Sequence, residues 1–343
     1  MSTTDATFNA GVSVMTRLRN ASQALGINTQ RSAERFLCEE MSRGMTAVMK
    51  VRHMIKGGCI YHQATRETRD LDIAFARKIV HTEFYRAIRD MAPMLAEKGI
   101  VIAKVGKPAP LWINGDEGMR FEIEAKIGTA TIRTHVDVTG GPRQMPFYTP
   151  VKSSGSVFFK DQVPLQGLYQ SFESQAADKL SAVVLRPDTT KWKDFSDISA
   201  LSKMGLDKAV IANELAHQLT FLFPTAEDAI AALPEIPTTM DFAFVEEKGR
   251  VWKTWNERNG RMVDADFTDV ACDCRHFYHD IRQIMMAAQR SVQRKQRVRP
   301  SAADQARAVQ EVRQQVREAK DTGNVVNMGD YRDPTTLGFR PKF

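Results

Sequence analysis

Asp70 and Asp72, in the run Arg66-Glu67-Thr68-Arg69-Asp70-Leu71-Asp72-Ile73, are one residue apart and can act together if they lie on a strand. Side chains two apart on a strand point to the same face, so the pair crowds two negative charges together. A hard cation relieves that crowding, and Mg2+ (or Mn2+), which prefers oxygen ligands, is the natural occupant. Asp137, in Thr134-His135-Val136-Asp137-Val138, is placed to add a third carboxylate from a neighbouring strand. Three such carboxylates can hold one or two metal ions that activate a hydroxyl and neutralise a triphosphate during in-line displacement. Upstream, Gly57-Gly58 supplies a backbone free of Cβ atoms, whose N–H groups at a helix start can approach phosphate oxygens. Asp-x-Asp and Gly-Gly are each common alone, and it is their order with Asp137 that carries the reading. Arg66 and Arg69 stand equally as phosphate contacts or solvated charges. His135 is expected to turn away from Asp137 on the strand, in a packing or surface role.

These residues need a sheet to hold them. Leu71 to Phe75 reads as a short strand, and Ile100 to Val105, Met119 to Ala125 and Thr129 to Val138 alternate apolar and polar positions as half-exposed strands do. Asn114-Gly115-Asp116 is a turn, and the late strands are joined by links too short for helical crossovers. Helical periodicity runs from Val12 to Met49, broken at Gly26 and Asn28, and again from Lys78 to Lys98. After Gly57-Gly58 a helical stretch is expected through Gln63. The fold class is therefore α/β (α+β) with a mixed sheet, and a mainly helical region follows. In that region Gln170 to Val184 and Ile211 to Phe221 are helices, and Phe267 to about Lys320 is helical and basic, interrupted at Pro300. Residues 1–150 are expected to form the core domain with its helical lead-in. Residues 151–290 form a helical domain, and 291–343 a basic extension whose end, from Asp321, is a mobile tail.

Composition narrows the classes. The N-terminus lacks a signal-peptide pattern and no stretch approaches the ~20 apolar residues of a membrane span, so a soluble cytoplasmic protein is expected. Cys38, Cys59, Cys272 and Cys274 lack the paired spacing of a zinc site and read as free thiols in a reducing compartment. The net charge is +7 and the pI about 9.2. The excess gathers in Arg282, Arg290, Arg294, Lys295, Arg297 and Arg299, which favours a polyanionic partner.

Ile55-Lys56-Gly57-Gly58 followed by Arg66-Glu67-Thr68-Arg69-Asp70-Leu71-Asp72-Ile73 resembles the KGG…RxTxDxD signature of the AbiEii/AbiGii toxin family, within the polymerase-beta-like nucleotidyltransferase superfamily. Glu173-Ser174-Gln175-Ala176-Ala177-Asp178-Lys179-Leu180, then Arg186 and Lys193-Asp194-Phe195-Ser196-Asp197-Ile198, resembles the family's E…KL…R…KDxxD element. These matches run from Glu34 to Asp197 and leave the basic extension outside. The resemblance implies a polymerase-beta-like core, an NTP with Mg2+ as donor and cofactor, and an RNA acceptor, the 3′ end of tRNA. It further implies a cognate antitoxin as partner. By the same resemblance Lys179 binds the triphosphate and Asp194 assists catalysis as a base, while Lys56, Gly57, Gly58, Arg66 and Arg69 serve the nucleotide. Taken without the motif, Lys179 is a surface lysine paired with Asp178 or Glu173, and Asp194 or Asp197 a helix N-terminal acid. The rival readings are transfer to a protein or small molecule, and a non-catalytic module that binds nucleic acid or an antitoxin.

The basic extension generates its own test. Deleting the chain from Arg290 onward is expected to weaken RNA binding and flatten its salt dependence, since each phosphate contact contributes about −0.7 to −0.9 to the slope of log affinity against log salt. Gel-shift titrations at several salt concentrations read this directly. Equal affinity and slope with and without the segment would remove it from RNA binding.

Overall fold

The computed structural model describes residues 3–61, 68, 70–113, 116–141, 159, 167–185, 191–258, 265–298, 307, 310, 311, 313 and 314. Packing divides the chain into two units, Met1–Met286 and Ala287–Phe343.

The first unit opens with α1 (Thr3–Leu25) and α2 (Thr29–Val48). Gly26, at φ +68, closes α1, and the Asn28 side chain caps α2 by accepting from the Gln30 and Arg31 N–H groups. Gly26 and Asn28 are thus the break that the sequence marks. The sheet follows as β1 (His53–Lys56), β2 (Asp70–Phe75), β3 (Ile100–Val105), β4 (Ala109–Ile113), β5 (Asp116–Ile127) and β6 (Ala130–Gly140). A 3-10 turn (Gly57–Ile60) follows β1 directly, and α3 (His81–Glu97) links β2 to β3. The expected helix through Gln63 is this single turn up to Ile60, with Gln63 itself outside the described residues.

Strand order is β1-β2-β6-β5-β3, with β4 pairing the other half of β5. Only the β2–β6 pair is parallel among the described strands, the rest being antiparallel, so the sheet is mixed as expected. A two-residue connection between β5 and β6, with Gly128 at φ +57, permits the longest antiparallel pair. Helices α2 and α3 bury Leu37, Met41, Met45, Phe84 and Met91 on one face of this sheet, where Phe84 stacks on Phe121 of β5 at 4.0 Å between ring centroids. Burying each of these large side chains contributes about 1.5–3 kcal/mol, which is what fixes the sheet against the helices.

Beyond the sheet come α4 (Phe172–Val184), α5 (Trp192–Ser202), α6 (Lys208–Leu219), α7 (Ala226–Ala231), α8 (Phe242–Arg258) and α9 (Phe267–Val298). The helical layer has an aromatic centre, in which Trp252 stacks on Phe267 at 5.2 Å and Trp192 meets Phe267 edge-on at 5.4 Å. It is stitched to the sheet edge by backbone. The Ile55 N–H donates to the Leu168 carbonyl and the Gln170 N–H donates to the Ile55 carbonyl, both at 2.9 Å. That bridge sets the start of α4 beside Lys56. Ser42 of α2 and the Tyr169 hydroxyl, 3.0 Å apart, add a second tie.

In the second unit α9 ends at Val298, before Pro300, as the proline demands. The Arg294, Lys295 and Arg297 side chains and the tail from Asp321 lie outside the described residues. No helix among the described residues is long and apolar enough to cross a membrane.

Candidate active site

One rung of the sheet carries the site. Lys56 of β1 is in register with Asp72 of β2, Asp72 with Asp137 of β6, and Asp137 with Arg120 of β5. Residues opposite one another on neighbouring strands share a face, so four side chains form a row with charges plus, minus, minus, plus. The adjacent rung on that face pairs Asp70 with His135.

The row explains the electrostatics. Asp72 is half-buried, and burial, then the charge of Asp70, then that of Asp137, push its carboxyl from 3.8 up to about 6, against the opposing pull of Lys179 and Lys56. Asp137 is buried and gives both oxygens to Arg120, at 2.7 Å from Nε and 2.6 Å from Nη2. This bidentate pair holds the guanidinium in its charged form. Asp70 is oriented by the buried Thr68, whose hydroxyl donates to Oδ1 at 2.9 Å. Its Oδ2 lies 3.7 Å from His135 Nε2. His135 therefore faces the acidic row. The expectation that it turns away from Asp137 fails because residues two apart on a strand point the same way.

Gly57 has φ +67, and a Cβ built on it would come within 1.9 Å of Asp72 Oδ2. The glycine is required twice, by its left-handed backbone and by the closeness of the aspartate. Gly58 is buried in the turn and does not line the cavity.

The helical layer supplies the opposite wall. Lys179 of α4 reaches Asp194 Oδ1 at 2.5 Å and Asp197 Oδ2 at 3.4 Å, both from the first turns of α5. Its partners are therefore the second-element aspartates and not Asp178 or Glu173. Asp178 instead binds Lys56 at 2.9 Å, with Gln170 and Gln218 donating to its two oxygens at 2.7 and 2.6 Å. Two sequence-distant cations are thus each held by carboxylates of the second element.

A cavity of about 270 Å³ is lined by Lys56, Gly57, Asp72, Asp137, Lys179 and Asp194, so the fold brings together six of the positions singled out in the sequence. Asp70 stands on the neighbouring rung, and Arg66 and Arg69 lie outside the described residues. Arg120, Asp178, Trp112 and Lys191 also line the cavity and were not singled out as site residues. For Arg120 a signal existed, since the alternation Met119-Arg120-Phe121 puts the arginine on the polar face of a strand next to a buried acid. Trp112 and Lys191 have no local sequence signal.

Among the described residues, no group of three or more His, Cys, Asp or Glu side chains converges to cage a metal ion. What fits a divalent cation is the charge itself. The Asp70–Asp72 pair crowds two carboxylates in a half-buried setting, and Asp137 already takes a cation, the guanidinium of Arg120.

The family model described as nucleotidyl transferase AbiEii toxin, type IV TA system, matches residues 56–321. The match takes in the basic stretch that the motifs alone leave out. No curated protein matches the sequence. Among solved structures, JHP933 from Helicobacter pylori is similar at 13% identity and TM-score 0.49, covering 78% of this chain and 99% of that one. MenT4, a nucleotidyltransferase toxin from Mycobacterium tuberculosis, is similar at 10% identity and TM-score 0.43, covering 79% and 98%.

Two outcomes follow from this geometry. The first concerns pH in metal-free protein. Folded Asp72 holds its proton up to about pH 6 while the unfolded chain releases it near 3.8, so its stabilising contribution is present below 3.8 and lost as pH rises through 6. The loss is at most about 3 kcal/mol at pH 7.5. In chelator, Asp72→Asn should melt above wild type at pH 7.5, with the gap closing toward pH 4; a variant melting lower at pH 7.5 would contradict the crowding. The second compares two glycines of the same backbone geometry. Gly26→Ala, with open space around it, should lose only the left-handed strain of about 1–2 kcal/mol. Gly57→Ala should lose more in urea unfolding, and the excess should shrink in the Asp72→Ala background. Equal losses in both backgrounds would show that the aspartate is not the obstacle.

Proposed function

The chain belongs to the AbiEii nucleotidyl transferase toxin family of type IV toxin–antitoxin systems, and from its site we propose that it transfers a nucleotide from an NTP to RNA, at the 3′ end of tRNA. The observation that carries this reading is the charged rung Lys56–Asp72–Asp137–Arg120 closing one wall of a cavity whose other wall presents Lys179. Carboxylates and ammonium groups meet there at the spacing that a metal-bound triphosphate needs.

Asp70 and Asp72 would hold Mg2+ or Mn2+, with Asp137 as third ligand once Arg120 releases it. A metal ion so held lowers the barrier by neutralising charge on the phosphates and activating the attacking hydroxyl. Lys179 and Lys56 bind the triphosphate, held ready by Asp194 and Asp178. We assign Asp194 to orienting Lys179 and not to proton transfer, because its oxygen is engaged at 2.5 Å. Gly57 lets the phosphates approach the backbone next to Asp72. The acceptor's hydroxyl oxygen forms a bond to the α-phosphorus, the bond from that phosphorus to the β-phosphate oxygen breaks, and pyrophosphate departs. The hydroxyl proton passes to a carboxylate of the cluster. Membership in a toxin–antitoxin family supports a cognate antitoxin as partner.

Incubating the full chain with each α-labelled NTP, Mg2+, total cellular RNA and cellular protein tests the reading. Label should enter RNA of tRNA size. Asp70→Ala and Asp72→Ala should each reduce it about a thousand-fold, as should chelator, because several kcal/mol of charge stabilisation is lost. Lys179→Ala should reduce it about ten- to a hundred-fold, the effect of one charged hydrogen bond. Label in protein would move the acceptor to the rival class. Full activity of folded Asp72→Ala would remove the metal site.

A further inference from the structure

We propose that Trp112 is the platform on which the base of the donor nucleotide stacks. This rests on the reading of the cavity as the NTP site and adds to it the subsite for the base.

The chain has four tryptophans, and three are spent on packing. Trp192 and Trp252 are buried in the aromatic centre of the helical layer, and Trp255 packs against Trp252 at 5.1 Å between centroids. Trp112 differs from all of them. It is 70% exposed, and it stands on β4 in the lining of the charged cavity. An indole left in water forfeits the large apolar burial for which tryptophan is otherwise placed, and a solvent-facing tryptophan is uncommon on a fold that already has a formed core.

The remaining lining divides the cavity by chemistry. Lys56, Lys179 and Lys191 are cations suited to phosphates. Trp112 with Leu111 forms an apolar part of the same wall. A nucleoside triphosphate has that same division, one flat π-face at one end and a chain of anionic oxygens at the other. Aromatic side chains bind bases through stacking, which tolerates every base because each has a π-face. Trp112 therefore adds affinity for a nucleotide without choosing which one. β4 is held by pairing to β5 alone among the described strands, and Trp112 lies opposite Glu117 in that pair, so the indole is fixed to the sheet that also holds Asp72 and Asp137.

Calorimetric titration of the full chain in Mg2+ with the α,β-methylene analogues of ATP and CTP, and separately with inorganic tripolyphosphate, tests the proposal. Trp112→Ala should weaken both nucleotide analogues about ten-fold, the purine more than the pyrimidine, in line with base–aromatic stacking. Its affinity for tripolyphosphate, which has no base, should equal that of wild type. Trp112→Phe should restore most of the nucleotide affinity. Wild-type affinity of Trp112→Ala for both analogues would overturn the proposal. So would an equal loss for tripolyphosphate, which would show that the indole only supports the wall. If wild type binds neither analogue, the NTP reading itself falls and the base subsite with it. If wild type binds both and only the variant comparison fails, the NTP reading stands without Trp112.

Discussion

The parallel pairing of β2 with β6 places Asp72 directly across from Asp137, and much of the site answers to that placement. Neighbouring strands lie about 4.8 Å apart, and two unit charges at that distance repel by roughly 3 kcal/mol at an effective dielectric constant near 20. Asp70, two residues along the same strand and face, adds to the strain. The chain offsets it in three ways. Arg120 clamps Asp137 from the far side, Lys56 and Lys179 approach Asp72, and Asp72 itself becomes harder to ionise. A fold selected for stability alone would not crowd acids on one rung. The arrangement makes sense where a cation is meant to enter.

The cations are themselves anchored, and the anchors come from elsewhere in the chain. Lys56 sits on the sheet but is held by Asp178 on α4, and Asp178 is in turn fixed by Gln170 and Gln218. Lys179 sits on α4 and is held by Asp194 and Asp197 on α5. Long flexible ammonium side chains would otherwise lose about 2 kcal/mol of rotamer freedom each on meeting a phosphate. Prior ion pairing takes that ordering out of the binding step. The backbone bridge of Ile55 to Leu168 and Gln170 makes this possible, because it locks the start of α4 against the strand that carries Lys56.

Much of this was legible in the residues. Alternation identifies β2, β3, β5 and β6, and the two apolar helical lead-ins and their break at Gly26 and Asn28 are visible as periodicity and capping chemistry. β1 and β4 are harder, since a four-residue strand and a five-residue strand containing Pro110 give too short a pattern to read. Asp72, Asp137, Lys179 and Asp194 were found because each lies in a local motif. Arg120 and Asp178 act through cross-strand register and helix docking, which no local window contains. His135 was misplaced by a slip in strand parity, the kind of one-residue error that flips a side chain to the other face.

Arg120 links the observed arrangement to the chemistry it must support. Both oxygens of Asp137 are occupied by its guanidinium, so any metal ion that binds Asp137 must first displace it or share it. The two partners are unequal, because the Asp137 side chain is 7% exposed while that of Arg120 is 41% exposed. The aspartate is fixed by its strand and its burial, whereas the arginine can swing into water at little cost. A buried carboxylate stripped of its only strong partner would be destabilising by several kcal/mol, and a cation arriving as the arginine leaves avoids that penalty. The freed guanidinium then lies at the edge of the same cavity, next to where a triphosphate brings three or more negative charges. One positive charge thereby serves the empty site as counter-ion and the filled site as phosphate ligand, which keeps the charge count near balance in both.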